Sequence, residues 1–492
     1  MVMTTSVRQW TGSEATILRT ALRMSIRDFA RHLGVSPSMV TEWKSRGRTI
    51  VPVLLTQQIL DTKLKQCSPE ERAAFFAELE IVNAAAPAGV PSQAGLPAGM
   101  VRQGLADDVE ASQARWREER DYLNSHREVL SQAAASLYPP SSRIAGTPML
   151  TSKAWMPEIP VSLDRVKLTW ADEVPEPLVT GTEPEAAGIH PLRAPGVRFD
   201  RYTLAIRYIN SPTLFENRPS YRLQSVDWAG GGGELTFGLA SYFDKLDVCE
   251  AIGHEFAAAH MAQEAGSEAS LWGALPLRRM LDNPFDFGLR AVTPAITTLL
   301  LRRRPDGSAT FLLHWRDPAK VATAGGLYDA IPAGEFQPGS VLSAQSPQDF
   351  DLWRNIVREL NEELLGAPEF DGSGSPLRYE RWPLWRALER ARGEGRVRVY
   401  AFGIGVDALT MAAAIPSALV IDDEVFDQLF GDIAADNAEG ITVTQWRGQD
   451  TRAGIPFTQE NVEQFIHNEP MAPPGAACLA LAWQHRELLL GR

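Results

Sequence analysis

Apolar side chains recur at helical spacing through the first eighty residues. Ile26, Phe29, Ala30 and Leu33 fall at i, i+3, i+4 and i+7 behind Ser25, a residue type whose hydroxyl caps a helix start. Gly34 supplies the permissive backbone of a tight turn, and Ser36 with Pro37 opens a second helix, since proline at the first helical position loses no bond. That helix turns Met39, Val40 and Trp43 inward and leaves Ser38, Thr41, Glu42 and Ser45 outside. Thr16 to Leu22 reads as a preceding helix, Pro52 to Leu64 as a following one, and Ser68-Pro69-Glu70-Glu71 as the start of a fifth. Further on, Val109, Trp116, Leu123, Leu130 and Leu137 recur every seven residues along a helix from Leu105 to Tyr138. The companion seam positions Ser112, Glu119 and His126 are polar, so the stripe has two readings: a dimer seam, or a face docked on the rest of the chain. Beyond Pro139-Pro140 the pattern mixes strand with helix. Ala295 to Arg304 and Ala309 to Trp315 form a hairpin about Pro305-Asp306-Gly307-Ser308, and Gly230 to Gly233 is a turn.

Composition divides the chain. From Asn83 to Gly104, thirteen of 22 residues are Ala, Pro or Gly and the only charge is Arg102, the make-up of a tether. The expected order is a helical head at 1–82, a linker at 83–104, a connecting or dimerisation helix at 105–138, a β-rich extension at 139–289 and a main domain at 290–492. Net charge is −13, which taken whole argues against nucleic acid. Residues 1–66, however, hold ten Lys and Arg against four Asp and Glu, a surplus of six positive charges, leaving −19 on the remainder. Neutralising phosphates needs local charge, so the basic head is free to engage DNA. The longest apolar run, Ala291 to Leu301, is 11 residues fenced by Arg290 and Arg302, too short for a membrane span. The first ten residues lack the apolar core of a secretory signal, and Cys67, Cys249 and Cys478 lie far apart. The expectation is a cytoplasmic protein without a membrane partner.

The segment Met24 to Gly47, MSIRDFARHLGVSPSMVTEWKSRG, resembles the phage-repressor-like (XRE-type) helix-turn-helix. Counting from Ile26, small Ala30 is fifth, Gly34 ninth, Val40 fifteenth and Trp43 eighteenth, which is what two closely crossing helices need. The resemblance covers about residues 10–80 and implies a double-stranded DNA partner. By position, Ser38, Thr41 and Ser45 face bases with Glu42 at a further reading position, while Lys44, Arg46 and Arg48 lie against phosphates. The family often has Gln where Ile26 stands, and Ile makes no phosphate contact. Proteins of this type commonly read two half-sites, so a homodimer is expected.

Asp349 to Leu365 is a helix closed by Gly366, with Leu352, Trp353, Ile356, Val357, Leu360 and Leu364 on one arc of ~140° at ~100° per residue. Glu359, Glu362 and Glu363 share the neighbouring arc. Three carboxylates so placed repel one another unless a cation sits among them, and oxygen ligands suit Mg²⁺ or Mn²⁺. An acidic solvated face is the plainer reading of the same spacing. Arg358 to Gly366, RELNEELLG, is similar to the Nudix box, and Pro332-Ala333-Gly334-Glu335 to the Gly-containing loop before it. That resemblance implies an α+β body of the Nudix-like α/β/α sandwich type over about 290–492. It makes Glu359, Glu362 and Glu363 metal-binding and catalytic, with Arg358, Gly334 and Gly366 structural. The box is degenerate: 24 residues separate Gly334 from Arg358, longer than the family's pattern, Ser340 stands where an early Glu belongs, and two Leu precede Gly366. Two other patterns fail. Gly403-Ile404-Gly405-Val406-Asp407-Ala408 fits a dinucleotide loop, but Pro416 leaves too short a helix behind it. His254 and His260 are six apart, not the four that put two histidines on one helical face.

The combined expectation is a multidomain protein, an all-α helix-turn-helix head on a Nudix-like body. The leading function is a sequence-specific DNA-binding transcriptional regulator whose body senses a nucleotide-type ligand or contacts a partner. The alternative is a metal-dependent nucleotide-diphosphate hydrolase targeted or regulated by its head.

Overall fold

The computed structural model describes residues 7, 10–33, 37–52, 56–57, 60, 63–64, 67–84, 98–212, 215–265, 270–316, 325–339, 348–367, 377–431, 440–443, 445–446, 449–450 and 454–491. Two compact units divide the chain, one built on residues 1–98 and the other on most of 99–492.

In the first unit every regular element among the described residues is helical: α1 (Gly12–Ala21), α2 (Ile26–Leu33), α3 (Pro37–Arg46), a 3-10 turn (Gly47–Thr49) and α4 (Pro69–Ala84). Thr11 and Glu14 cap α1 reciprocally, the Thr11 hydroxyl accepting from Ser13 N–H at 3.2 Å and the Glu14 carboxylate from Thr11 N–H at 2.8 Å. Ser25 Oγ accepts from Asp28 N–H at 3.1 Å, and Ser68 Oγ from Glu71 N–H at 3.2 Å, so the expected caps of α2 and α4 are both formed. Trp10, Ala15, Leu18, Phe29, Ala30, Leu33, Val40, Trp43 and Phe75 make the core. Met39, expected inside, is 37% exposed, and Ile26 is only half-buried. Gly12 is required by packing: a Cβ there would stand 2.3 Å from the Trp43 carbonyl oxygen. The expected turn at Gly34 and Ser36 lies outside the described residues, as does most of the expected tether, 85–97.

The second unit begins with α5 (Ala98–Ser125), which starts inside the segment expected to be linker, and continues after a break at His126 with α6 (Arg127–Ala135). Trp116, Leu123 and Leu130 are buried in this unit's own core. Val109 and Leu137, at the two ends of the heptad stripe, are part-buried, so it is the middle of the stripe that docks on this unit's own core.

Residues 139–289 and 290–492, expected as an extension and a domain, form one unit. β1 (Met149–Leu150) and β2 (Val161–Ser162) pair with strands from the far end of the chain, β14 (Gly405–Asp407) and β13 (Val397–Ala401). The extension is also less β-rich than expected, since it holds α7 (Tyr202–Ile209), the long α8 (Tyr242–Glu264) and the short α9 (Pro276–Met280). Its own sheet joins β3 (Val166–Trp170) in parallel to β7 (Gly233–Ser241), which pairs antiparallel with β6 (Pro219–Asp227) across the glycine turn.

The main sheet has nine strands among the described residues. Its centre is β8 (Ala295–Arg303) parallel to β15 (Ala413–Asp422), registered from Ala295↔Ala414 to Arg303↔Asp422. β8 turns back at Gly307 into β9 (Ala309–Phe311) as the sequence predicts. Alternate residues feed two cores. Ile296, Leu300, Ile415 and Leu419 meet α10 (Leu352–Glu363), α11 (Pro383–Gly393) and α12 (Asp423–Phe430). Leu299, Leu301, Ala418 and Val420 meet α13 (Gln459–Asn468) and α14 (Pro473–Gln484). The unit is thus mixed helix and sheet, with helices on both faces of the main sheet. Among the described residues no helix is long and apolar enough to cross a membrane.

Candidate functional site

On α3, burial of Val40 and Trp43 forces the intervening positions outward: Thr41, Glu42, Lys44, Ser45 and Arg46 are all exposed, with Arg48 following in the 3-10 turn. The side chain of Ser38 lies outside the described residues. Arg46 donates to Glu42 at 2.9 Å and Ser45 Oγ to the Glu42 carbonyl at 3.0 Å. Such an exposed i,i+4 pair contributes ~0.3–0.5 kcal/mol, little enough for a phosphate to displace. The face is therefore polar and, with Lys44, Arg46 and Arg48 against Glu42, cationic.

In the second unit α10 holds the box. Asp351 caps it, accepting from Arg354 N–H at 2.8 Å, and Gly366 ends it at φ +64°. Arg358 is buried and fully engaged: it donates to Tyr379 Oη at 2.9 Å, Asn355 Oδ1 at 2.8 Å and the Gln337 carbonyl at 2.6 Å, and pairs with Asp349 at 3.4 Å. Burial, offset in part by the Arg358 charge, pushes the Tyr379 phenol upward, so it stays protonated and donates to Asp349 at 2.9 Å.

Two of the three glutamates, Glu359 and Glu363, face the preceding loop. Glu363 Oε2 accepts from Ala333 N–H at 3.1 Å, and the Glu359 carboxylate lies against Gly334, where a Cβ would stand 2.2 Å from its carbon. A side chain at Gly334 would have to push that carboxylate aside. Among the described residues no group of three His, Cys, Asp or Glu side chains is placed to hold a metal ion. As arranged, the described donor set does not fit Mg²⁺ or Mn²⁺.

A cavity of about 240 Å³ lies nearby in the same unit. Its walls come from α6, α8, the start of β8, β11 (Tyr328–Ala330), β12 (Ala333–Glu335), the hairpin entering β15 and the start of α14. Three cations line it, Arg127, Lys245 and Arg316, with four carboxylates, Glu250, Asp329, Glu335 and Asp407. Lys245 pairs with Glu335, and Arg127 with Glu250 at 2.9 Å. Burial pushes the Asp407 carboxyl up, against the pull of its bonds from Thr410 Oγ1 at 2.7 Å and Leu409 N–H at 3.0 Å. Burial also raises the Cys249 thiol in this wall, which makes it a poor nucleophile. Of these charged groups the sequence motifs include Glu335, beside Gly334, and Asp407, inside the rejected dinucleotide pattern. The other charged groups come from separate segments with no shared motif.

Behind the cavity a buried network joins α5 to the body. Glu250 Oε2 also lies 3.7 Å from Arg120, which donates to Tyr202 Oη at 3.0 Å. Tyr202 donates to His254 Nδ1 at 3.0 Å, and His254 Nε2 to Glu119 at 3.0 Å. Burial lowers the His254 pKa, which keeps the ring neutral and fits this tautomer. Glu255 caps α9 through Leu277 N–H at 2.6 Å and Arg278 N–H at 2.9 Å. His254 thus belongs to this network and Glu255 to the cap of α9. The Gly403 pattern leads into strand β14, and no helix follows it, so it cradles no dinucleotide.

No protein-family model matches the chain, and no curated protein matches it. Among solved structures, the chain is similar to the crystal structure of a NUDIX hydrolase from Alicyclobacillus acidocaldarius, at 16% identity and a TM-score of 0.24, over 41% of this chain and 96% of that one. Likeness at that level identifies neither a fold nor a function.

Proposed function

We propose that the protein is a sequence-specific DNA-binding transcriptional regulator, cytoplasmic and homodimeric on its operator, with a body that senses a small molecule. The observation that carries the reading is the outward face of α3. Val40 and Trp43 are buried while Thr41, Glu42, Lys44, Ser45 and Arg46 stand exposed beside Arg48, on a unit whose first 66 residues carry a surplus of six positive charges. The helix-turn-helix reading gives those residues their roles: Thr41 and Ser45 against base edges, with Ser38 and Glu42, and Lys44, Arg46 and Arg48 against phosphates. Two such heads match two half-sites only at one spacing, so a ligand that alters that spacing alters affinity. Selection of binding sites from random duplexes, followed by gel shift at moderate salt, tests it. A Thr41→Ala/Ser45→Ala protein that still selects the same sites with the same affinity refutes it.

The hydrolase reading keeps one observation in its favour, the seating of Glu359 and Glu363 on the Ala333-Gly334 loop. Its Nudix-like fold and its use of Mg²⁺ or Mn²⁺ stand or fall on divalent-dependent turnover of a nucleotide-diphosphate panel.

A further inference from the structure

In the wall of the 240 Å³ cavity, Glu335 Oε2, an acceptor, and Arg127 Nε, a donor, are buried polar atoms with no hydrogen-bond partner among the described residues. Glu335 Oε1 is engaged by Lys245, and Arg127 Nη2 by Glu250 and by Asn124 Oδ1 at 3.3 Å. A buried polar atom left unpaired loses its hydration without return, so one acceptor and one donor on a common cavity mark what a ligand must bring. Size and charge narrow the class. The volume is below the ~300–1,000 Å³ usual for drug-sized ligands, which leaves room for a molecule of amino-acid size. With cations and carboxylates both in the walls, a ligand of one sign meets its like on one side, and a zwitterion meets an opposite charge on each. Leu246, Leu327, Ala413 and Pro473 supply apolar wall for a side chain.

We infer that this cavity binds a free amino acid or a zwitterion of that size, its ammonium on Glu335 Oε2 and its carboxylate on Arg127, and that occupancy is transmitted to α5 through Glu250. The inference rests on the reading of the body as a sensor and gives that sensor its ligand class. Glu250 is the shared element. Its carboxylate is 2.9 Å from Arg127 in the cavity wall and 3.7 Å from Arg120 on α5. A ligand carboxylate competes for Arg127, and Glu250 then shifts its pairing to Arg120. All three side chains are at least nine-tenths buried, so the exchange occurs where charges are poorly screened. Through Tyr202 and His254 the same network reaches Glu119, one residue from Arg120 on the helix by which the chain enters the second unit.

The test uses the full-length protein. Thermal unfolding is recorded with each of the twenty free amino acids at 10 mM and with adenosine, guanosine, cytidine and uridine, and hits are titrated calorimetrically. The expected result is a raised Tm with one or a few amino acids and one site per chain. Glu335→Gln weakens that site at least about tenfold, since a charge-assisted bond is lost. Ala413→Leu, which adds apolar bulk to the cavity wall, abolishes it. Hydrogen exchange over residues 109–125 changes on binding, and Arg120→Gln removes that response while binding remains. A nucleoside hit in place of an amino acid, no hit in the panel, binding indifferent to Ala413→Leu, or unchanged exchange over α5 overturns the inference. DNA binding is measured on the same samples without ligand. Its presence with no amino-acid response overturns only this inference, and its absence with the response intact overturns only the regulator reading.

Discussion

Replacing Trp116 by alanine separates a helix docked within one chain from a seam between two. The indole is 2% exposed, stacked on His254 with ring centroids 5.4 Å apart and tilted against Tyr202 at 5.6 Å. A buried tryptophan removes roughly 150–250 Å² from water, worth about 4–6 kcal/mol at ~25 cal/mol per Å². Measured Trp→Ala changes fall nearer 3–5 kcal/mol. Trp116 Nε1 has no hydrogen-bond partner among the described residues, so its removal breaks no polar bond there and the lower end applies, about 3 kcal/mol. Urea unfolding followed by far-UV circular dichroism should therefore show a lower midpoint for the second unit with an unchanged slope. Sedimentation velocity should show the oligomeric state unaltered. A loss below about 1 kcal/mol together with dissociation to a smaller species would refute the docked helix and restore the heptad stripe as an interchain seam.

Gly12→Ala should cost the first unit roughly 1–3 kcal/mol by overpacking, because the new methyl meets the Trp43 carbonyl, and leave the second unit's transition in place; differential scanning calorimetry resolves the two. His190 is held neutral by burial and then by the Arg198 charge, its pKa pulled down to about 4. The unfolded chain protonates it near ~6.5, so its contribution is whole above that pH and falls away as pH drops to about 4, by roughly 3 kcal/mol. His190→Gln should flatten the acid limb of a stability–pH profile over that window, and an unaltered limb would exclude His190 as its source. Glu362→Gln should leave DNA affinity unchanged, and neither it nor the parent protein should show Mg²⁺-stimulated turnover of nucleotide sugars; turnover lost in the variant would establish the hydrolase.

What the sequence reveals follows from the range of the forces involved. The caps at Ser25 and Ser68, the turn at Gly307, and the end of α10 at Gly366 are local chemistry, and the structure has them where residue type predicts. Met39 is misjudged because helical periodicity locates a face only to within a residue or so at its edge, and the side chain there is exposed. The boundary expected near residue 289 fails for a different reason. β1 and β2 are two-residue strands that pair about 240–260 residues downstream, and no local pattern announces so distant a partner. The box is legible as a helix with a glycine against it, yet the seating of Glu363 on a backbone amide depends on a loop 30 residues earlier. The cavity is the least legible feature, since Arg127, Lys245, Arg316 and Glu335 share no spacing and acquire meaning only when the fold collects them.

The central claim is that the exposed face of α3 reads DNA, and the salt dependence of operator binding tests it most directly. Fluorescence anisotropy on a selected operator, repeated across salt concentrations, should give a steep linear fall of log affinity with log salt. Lys44→Ala should reduce that slope by about one on every sequence, and Thr41→Ala should weaken the operator by ~1–3 kcal/mol while sparing random duplex. Binding with no preference for any sequence, or a slope and selectivity untouched by both substitutions, would contradict it.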